Sequence, residues 1–490
     1  MKDYDLIVIG TGSGMNYVNS IIDSNPKMKI AVIDKDEPGG ICLTRGGCIP
    51  SKLLLYPAEL VRDLETAPLF GIKLEIKDIE FRTIMERMRK RIGEDIEMIR
   101  QGGLTENDYL DYYPETAEFI SPYTLKAGGD EILHSEMIFL CTGSKPAVPP
   151  VRGLEEAGYL TSDTVLGLNE CPKSLAILGG SYIGGAEYGH FFSAMGAEVT
   201  VIGRNQHFLP QEEPEVSELA RIKMSEYMRI LTNHEAIEVR KEKGGQKTVI
   251  AKDRGGSGEE TEVTADEILV ATGRAPNNDI LHPEKAGIKT DPHGWILVNE
   301  YLETSQPNIW AFGGDANGKY LLKHVGNYES GIVYLNAIMQ EKVKVDYHAV
   351  PHAVFSYPEI AGGVGMSEKE AIEEFGEKRV IIGFKLFEDT AKGSAMETRD
   401  YFVKVILDGL EDKILGAHII GPPHASVLIH QIIPLMYTAS RSAKPMMQMM
   451  DIHPALSEVV KRAFYSRLSP EHYHHVMKHL GLEDEDSVEG

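Results

Sequence analysis

Cysteine is scarce in this chain: four among 490 residues, at positions 42, 48, 141 and 171. That number and spacing exclude the disulfide-stapled framework of small secreted proteins. Positive charge is short too, with 50 Lys and Arg against 74 Asp and Glu. The resulting formal charge of −24 repels nucleic-acid phosphates and anionic membrane surfaces. No stretch approaches the roughly 20 uninterrupted apolar residues of a membrane span. The N-terminus lacks a charged n-region, an apolar h-region and a small-residue cleavage site, because Met1-Lys2-Asp3-Tyr4-Asp5 leads straight into an apolar run. A soluble cytoplasmic protein is therefore expected, with neither nucleic acid nor membrane as partner. What the chain does have is a globular share of hydrophobic residues, 42%, and a length that suits two to four domains. In a reducing compartment its close cysteine pair points to redox catalysis or metal binding.

Residues 6–9 form an apolar run that ends in Gly10-Thr11-Gly12-Ser13-Gly14, and a helical stretch follows from about Met15. A second run, 30–33, ends in Asp34, about twenty residues after the glycines, where a ribose-binding acid belongs in a dinucleotide fold. The unit returns at 175–178 with Gly179-Gly180-Ser181-Tyr182-Ile183-Gly184, a helix to about Met195 and a strand at 198–202. Two such sites imply two nucleotides, one consumed and released while the other stays bound, as a flavin enzyme requires. Runs ending in Cys141-Thr142-Gly143 and Ala271-Thr272-Gly273-Arg274 read as crossings between domains. The expected organisation is an α/β chain: a first Rossmann-like dinucleotide domain over 1–150, resumed at 275–345, and a second over 151–274. An α+β domain is expected at 346–467, and a tail at 468–490. In the tail His472, His474, His475 and His479 read as a polar terminal helix, for want of a second ligand type, and 482–486 as a solvated acidic end.

The segment Gly39-Gly40-Ile41-Cys42-Leu43-Thr44-Arg45-Gly46-Gly47-Cys48-Ile49-Pro50-Ser51-Lys52 resembles the active-site segment of the pyridine nucleotide-disulfide oxidoreductases. The resemblance extends over nearly the whole chain. It takes in the first glycine turn, both Thr-Gly crossings, Gly314-Asp315, and His453-Pro454-Ala455-Leu456-Ser457-Glu458. It implies an FAD domain, an NAD(P) domain, a central segment and a C-terminal interface domain that makes a homodimer. It also implies roles: Cys42 as the thiol that attacks substrate, Cys48 against the flavin, and Lys52 with Glu187 as an ion pair beside it. His453 and Glu458 would be an acid-base pair lent across the dimer interface, since an imidazole titrates near neutrality and a carboxylate fixes its tautomer. FAD would be held by Gly10, Gly12, Gly14, Asp34, Gly40, Thr142, Gly143 and Asp315. NAD(P)H would be held by Gly179, Ser181, Gly184, Arg204 and Gly273.

The resemblance has departures. Five residues, Leu43 to Gly47, separate the cysteines where the family has four. The added glycine must be absorbed as a bulge or loop for the pair to close. Single extra residues recur at Gly184-Gly185, Gly313-Gly314, Gly362-Gly363 and Pro422-Pro423. Met15 and Ser181 stand where fingerprint glycines are expected. Gly203-Arg204 follows the second unit's strand where NADH-using members place Glu, so NADPH is favoured. No cysteine follows Cys171, which argues against metal-ion reduction of the mercuric reductase type. The expected substrate is a small dithiol or disulfide, or a lipoyl-carrying protein, as for dihydrolipoamide dehydrogenases. The alternatives are a low-molecular-weight disulfide reductase of mycothione or glutathione reductase type, and a redox-silent FAD-binding homologue.

Overall fold

The computed structural model describes residues 1–105, 108–129, 131–315 and 318–483, apart from the side chain of Asp315. Leu6–Ile9 and Ile30–Ile33 carry apolar side chains on both faces and are buried throughout, as strands inside a helix-covered parallel sheet must be. They sit at the centre of a five-stranded parallel sheet in the order Ile309–Ala311, Ile138–Leu140, Leu6–Ile9, Ile30–Ile33, Leu110–Tyr113. A second parallel sheet has the order Leu160–Thr161, Glu267–Val270, Ser174–Leu178, Glu198–Ile202, Arg229–Leu231. Strands Ser144–Pro146 and Arg274–Pro276 pair antiparallel where the chain passes between the two sheets. The C-terminal part is built on a six-stranded antiparallel sheet that starts at His352–Val354 and ends at Arg467–Leu468. Among the described residues no helix is long and apolar enough to cross a membrane.

The doubled residues have a structural answer. One extra residue in a helix would rotate everything after it by about 100° unless the helix widens locally. Gly184-Gly185 lie in such a π-helical turn, Tyr182–Tyr188. In a strand the same excess makes a bulge, and the register of Glu359–Gly365 against Lys413–Gly421 slips between Ala361 and Val364, around Gly362-Gly363. Gly313-Gly314 open a tight turn, Gly313–Asp315. Pro422-Pro423 lead into His424, whose φ of 76° turns the chain into the helix Ala425–Leu428.

The C-terminal sheet is fastened to the second nucleotide unit by a buried ion cluster. The Nζ of Lys404 lies 2.6 Å from Glu213, 2.6 Å from Glu215 and 2.7 Å from Glu368, all of them buried, and the Tyr473 hydroxyl donates to Glu215 at 2.6 Å. Burial works against the ammonium, yet the three carboxylates hold its pKa well above the ordinary lysine value. The carboxylates converge as metal ligands would, and the lysine fills the space between them. The terminal helix Pro470–His479 joins this cluster through His474, bridged to Glu368 at 3.0 Å and Glu483 at 2.6 Å. The His-rich segment is a helix, but not the polar tail expected from sequence: Tyr473, Met477 and Leu482 are buried in the core and Glu483 is held by His474 rather than solvated, while the acidic end beyond Glu483 lies outside the described residues.

Candidate active site

The first glycine turn is built by close approach. Gly10 has φ of 103°, and a Cβ there would stand 2.1 Å from the Cys141 carbonyl oxygen. A Cβ on Gly40, whose φ is 66°, would stand 2.7 Å from the Gly12 Cα. Gly14 is pressed against Val8 and Cys141, so the helix-packing glycine is this one, which leaves Met15 no such duty. The second turn repeats the construction: a Cβ on Gly179 would lie 2.2 Å from the Ala271 carbonyl oxygen, and one on Gly184 2.0 Å from the Ala271 Cβ. Each turn thus rests on the strand end that leads into a Thr-Gly crossing. Gly143 and Gly273 both take positive φ there, 67° and 126°.

Against the first turn opens a cleft with about 1390 Å³ of empty space, mouth included. Gly12, Asp34, Gly40, Thr142, Gly143 and both cysteines of the pair line it. Asp34 accepts hydrogen bonds from the Thr11 amide at 2.8 Å and hydroxyl at 2.5 Å, and the same hydroxyl accepts from Gly39 N at 3.0 Å. Thr11, given no part by the sequence reading, ties the acid to both glycine segments. Only the backbone of Asp315 is described; its side chain lies outside the described residues. A cleft walled by Cβ-free backbone, with a carboxylate at a strand end, fits a dinucleotide of the size of FAD.

Helix Ile41–Thr44 carries Cys42, and helix Cys48–Thr66 begins with its partner. The extra glycine is absorbed between them. A Cβ on Gly46 would strike the Ser162 carbonyl, and one on Gly47 would stand 2.4 Å from the Ile41 carbonyl oxygen and 2.8 Å from the Cys42 Cα. Both cysteines are present as thiols, close enough to hydrogen-bond each other. That bond, with the field of Lys323 and the amides of Cys48 and Ile49, brings Cys42 down to about 6 against its burial. The same bond and burial push Cys48 up. Of the two sulfurs, Cys42 is the one whose ionised form its surroundings favour.

Lys52, one turn further along the helix, places Nζ 2.8 Å from both oxygens of Glu187, which is only 2% exposed. The π-helical turn that absorbs Gly184-Gly185 aims Glu187 there, and its Oε1 also accepts from Phe355 N at 3.1 Å. The Lys52 ammonium sits 4.6 Å from the Phe355 ring centre. His453 and Glu458 meet as well, Nδ1 donating to Oε1 at 3.1 Å, which leaves Nε2 as the basic nitrogen. That hydrogen bond holds the Glu458 carboxyl below its usual range. His453 is 66% exposed and lies apart from the cleft wall that holds the cysteines of its own chain.

At the second turn Ser181 is extended and its carbonyl accepts from Gly185 N at 2.9 Å. Arg204 stands exposed just past strand Glu198–Ile202. Besides Lys35 and Arg45, two cations in the first cleft were assigned no role from sequence. Arg274 donates to the Ser144 hydroxyl and carbonyl at 2.6 Å each, and burial lowers its pKa. Lys323 opens the helix Lys323–Val333 and donates to Ser13 Oγ at 3.2 Å. The available signal was their place beside glycine-rich turns, in Gly273-Arg274 and after Gly313-Gly314.

Residues 4–333 match the family described as pyridine nucleotide-disulphide oxidoreductase, and residues 350–464 its dimerisation domain. Mycothione reductase of Mycobacterium tuberculosis is 33% identical over 477 residues, 94% of this chain and 99% of that protein. Dihydrolipoyl dehydrogenase of Chlamydia pneumoniae is 34% identical over 465 residues, 94% and 95% of the two chains. Among solved structures, the HOCl-induced flavoprotein disulfide reductase RclA from Escherichia coli superposes with a TM-score of 0.81 at 26% identity, over 94% of this chain and 99% of that one. Both family models match in chain order and the relatives are covered end to end, so the chain belongs to the FAD- and NAD(P)-dependent pyridine nucleotide-disulphide oxidoreductases, enzymes with a disulfide redox centre and a dimerisation domain.

Proposed function

We propose that this enzyme uses NADPH to reduce a low-molecular-weight disulfide, with Cys42 as the attacking thiol. The observation that carries this reading is the Cys42–Cys48 pair, two thiols in hydrogen-bonding contact on the wall of the glycine-lined cleft, whose surroundings favour ionisation of Cys42 over Cys48. Bound FAD supplies the passage of an electron pair from the nicotinamide to the cysteines. The thiolate of Cys42 attacks one substrate sulfur, forming a mixed disulfide and expelling the first thiolate. His453 of the partner subunit gives that thiolate its proton, from a ring oriented by the ionised Glu458. Cys48 then attacks the Cys42 sulfur, releases the second thiol and restores the internal disulfide. The Lys52–Glu187 pair sets a fixed cation at the inner end of the cysteine helix.

Dimer contacts have support on both sides. Tyr56, Leu60 and Leu64 form an exposed apolar stripe along the cysteine helix, at 55%, 46% and 43% exposure. Ile452, next to His453, is 79% exposed. Arg204, exposed past the strand end, matches a 2′-phosphate better than a ribose hydroxyl. A lipoyl substrate is the second reading, favoured by the similarity to dihydrolipoyl dehydrogenases.

Steady-state assays with mycothiol, glutathione and lipoamide disulfides, each with NADH and NADPH, test both. The expected result is kcat/KM about five- to thirty-fold higher with NADPH, reversed by Gly203→Glu with Arg204→Ala. Highest turnover on lipoamide would transfer the assignment to the second reading. Absence of turnover on all three, with flavin bleaching directly on anaerobic titration, would overturn disulfide chemistry itself.

A further inference from the structure

The second glycine turn is held from the C-terminal sheet. Ile183 faces the first cleft, while its neighbour Tyr182 stacks on the His352 ring, with centres 5.2 Å apart and planes inclined by 21°. The Tyr182 hydroxyl lies 3.3 Å from His352 Nε2. His352 opens the first strand of that sheet, His352–Val354. Its Nε2 donates to Glu212 Oε1 at 2.5 Å, and the Glu212 side chain is 0% exposed. Breaking such a pair leaves a buried charge uncompensated, so the pair fixes the backbone that carries Glu212.

That backbone is the loop after strand Glu198–Ile202. It returns to the glycine turn where Leu209 N donates to Gly180 O at 2.9 Å, and Glu212 N donates to Leu209 O at 3.0 Å. Between loop and turn lies a small cleft, lined by Gly180, Gly203, Asn205, His207 and Phe208. One imidazole thus touches the supports of both walls, the turn through Tyr182 and the loop through Glu212.

The bulge at Gly362-Gly363 makes room for that imidazole. Gly363 has φ of 63°, and a Cβ there would strike the His352 ring; one on Gly362 would stand 2.8 Å from Glu212 Oε2. The widened turn that holds Gly184-Gly185 begins at Tyr182. Two of the doubled glycine pairs therefore meet at His352.

We propose that His352 is a positioning residue for the nicotinamide nucleotide, holding the second glycine turn and residues 203–212 at the spacing that closes on the cofactor. The inference rests on the nucleotide occupying this turn, and the test separates the two claims.

Calorimetric titration of the oxidised holoenzyme with NADP⁺ and with NAD⁺ measures nucleotide affinity, and the rate at which dithiothreitol reduces the enzyme measures the disulfide side. In His352→Leu the Kd of the tighter-binding nucleotide should rise about tenfold, as for a site assembled about one-tenth of the time, while FAD content and the dithiothreitol rate hold. His352→Gln, whose amide can still donate to Glu212, should recover most of the parental affinity. Unchanged affinity in His352→Leu, or an equal loss on the dithiothreitol side, would overturn the role of His352 alone. Gly180→Val sets a side chain in the cleft itself, and unchanged affinity there would place the nucleotide elsewhere and overturn both claims. Should His352→Leu not fold, Tyr182→Leu decides, because it frees the turn and leaves the buried pair intact; unchanged affinity in that variant would overturn the proposal.

Discussion

Replacing Gly47 with alanine should cripple the cysteine pair while leaving the rest of the fold intact. Gly47 has φ of −86°, a region open to any residue, so the cost of Gly47→Ala is steric and not conformational. The new methyl would stand 2.4 Å from the Ile41 carbonyl oxygen and 2.8 Å from the Cys42 Cα. Ordinary carbon contacts begin near 3.5 Å, so the turn must open by about 1 Å. Both obstructing atoms are backbone of the helix that bears Cys42, and no side chain can swing aside to absorb the overlap. Strain of that kind costs ~1–3 kcal/mol, and displacing a reacting atom by about 1 Å costs roughly 100-fold in rate. The comparison is Gly93→Ala, within helix Phe81–Gly103, where nothing lies within 4 Å of the added methyl. That change should raise stability by ~0.5–1 kcal/mol and leave turnover alone. Disulfide-reductase kcat, with titration of thiols before and after NADPH reduction, measures both variants. A Gly47→Ala enzyme within threefold of parental kcat would show that the turn yields freely, and the argument that both glycines are needed to bring the cysteines together would fail.

Cys42→Ser and His453→Ala proteins, each inactive alone, should regain up to about a quarter of parental activity per chain when mixed and allowed to exchange subunits, since one composite site in the heterodimer is intact; proven exchange without recovery would rule out a base lent in trans. His474 should make stability depend on pH. Its hydrogen bonds to Glu368 and Glu483 raise it from 6.5 to about 10, so its contribution is complete below pH 6.5 and is lost as pH rises toward 10. With the ring partly exposed, solvent screening leaves ~1 kcal/mol. The Tm gap between parent and His474→Gln should therefore be widest near pH 6 and close by pH 10, and a gap constant across that range would show that the imidazole contributes by packing alone.

What could be read from the sequence was whatever a single local rule enforces. Gly10, Gly40 and Gly179 are legible because positive φ and backbone at contact distance exclude every side chain, and that exclusion leaves a glycine in the sequence. Strands 6–9 and 30–33 are legible because burial on both faces demands unbroken apolar runs. The doubled residues were visible but not interpretable. A sequence shows that one residue is extra, while the choice among a π-helical turn, a strand bulge and a loop depends on which partner holds the flanking segments. Gly184-Gly185 can sit beside Glu187 without dislodging it because the helix widens there, and Lys52 then finds both carboxylate oxygens. Lys404 shows the opposite limit: a lysine in a strand ordinarily points outward, and nothing near it in sequence reveals three carboxylates arriving from 213, 215 and 368. Lys323 belongs to the same class. Its Nζ reaches Ser13 across 310 positions, a contact that could be inferred only after the first glycine turn had been placed in space. Residues that meet the site through a distant neighbour leave no spacing of their own: Arg274 meets Ser144 across 130 positions, and Lys323 meets Ser13 across 310.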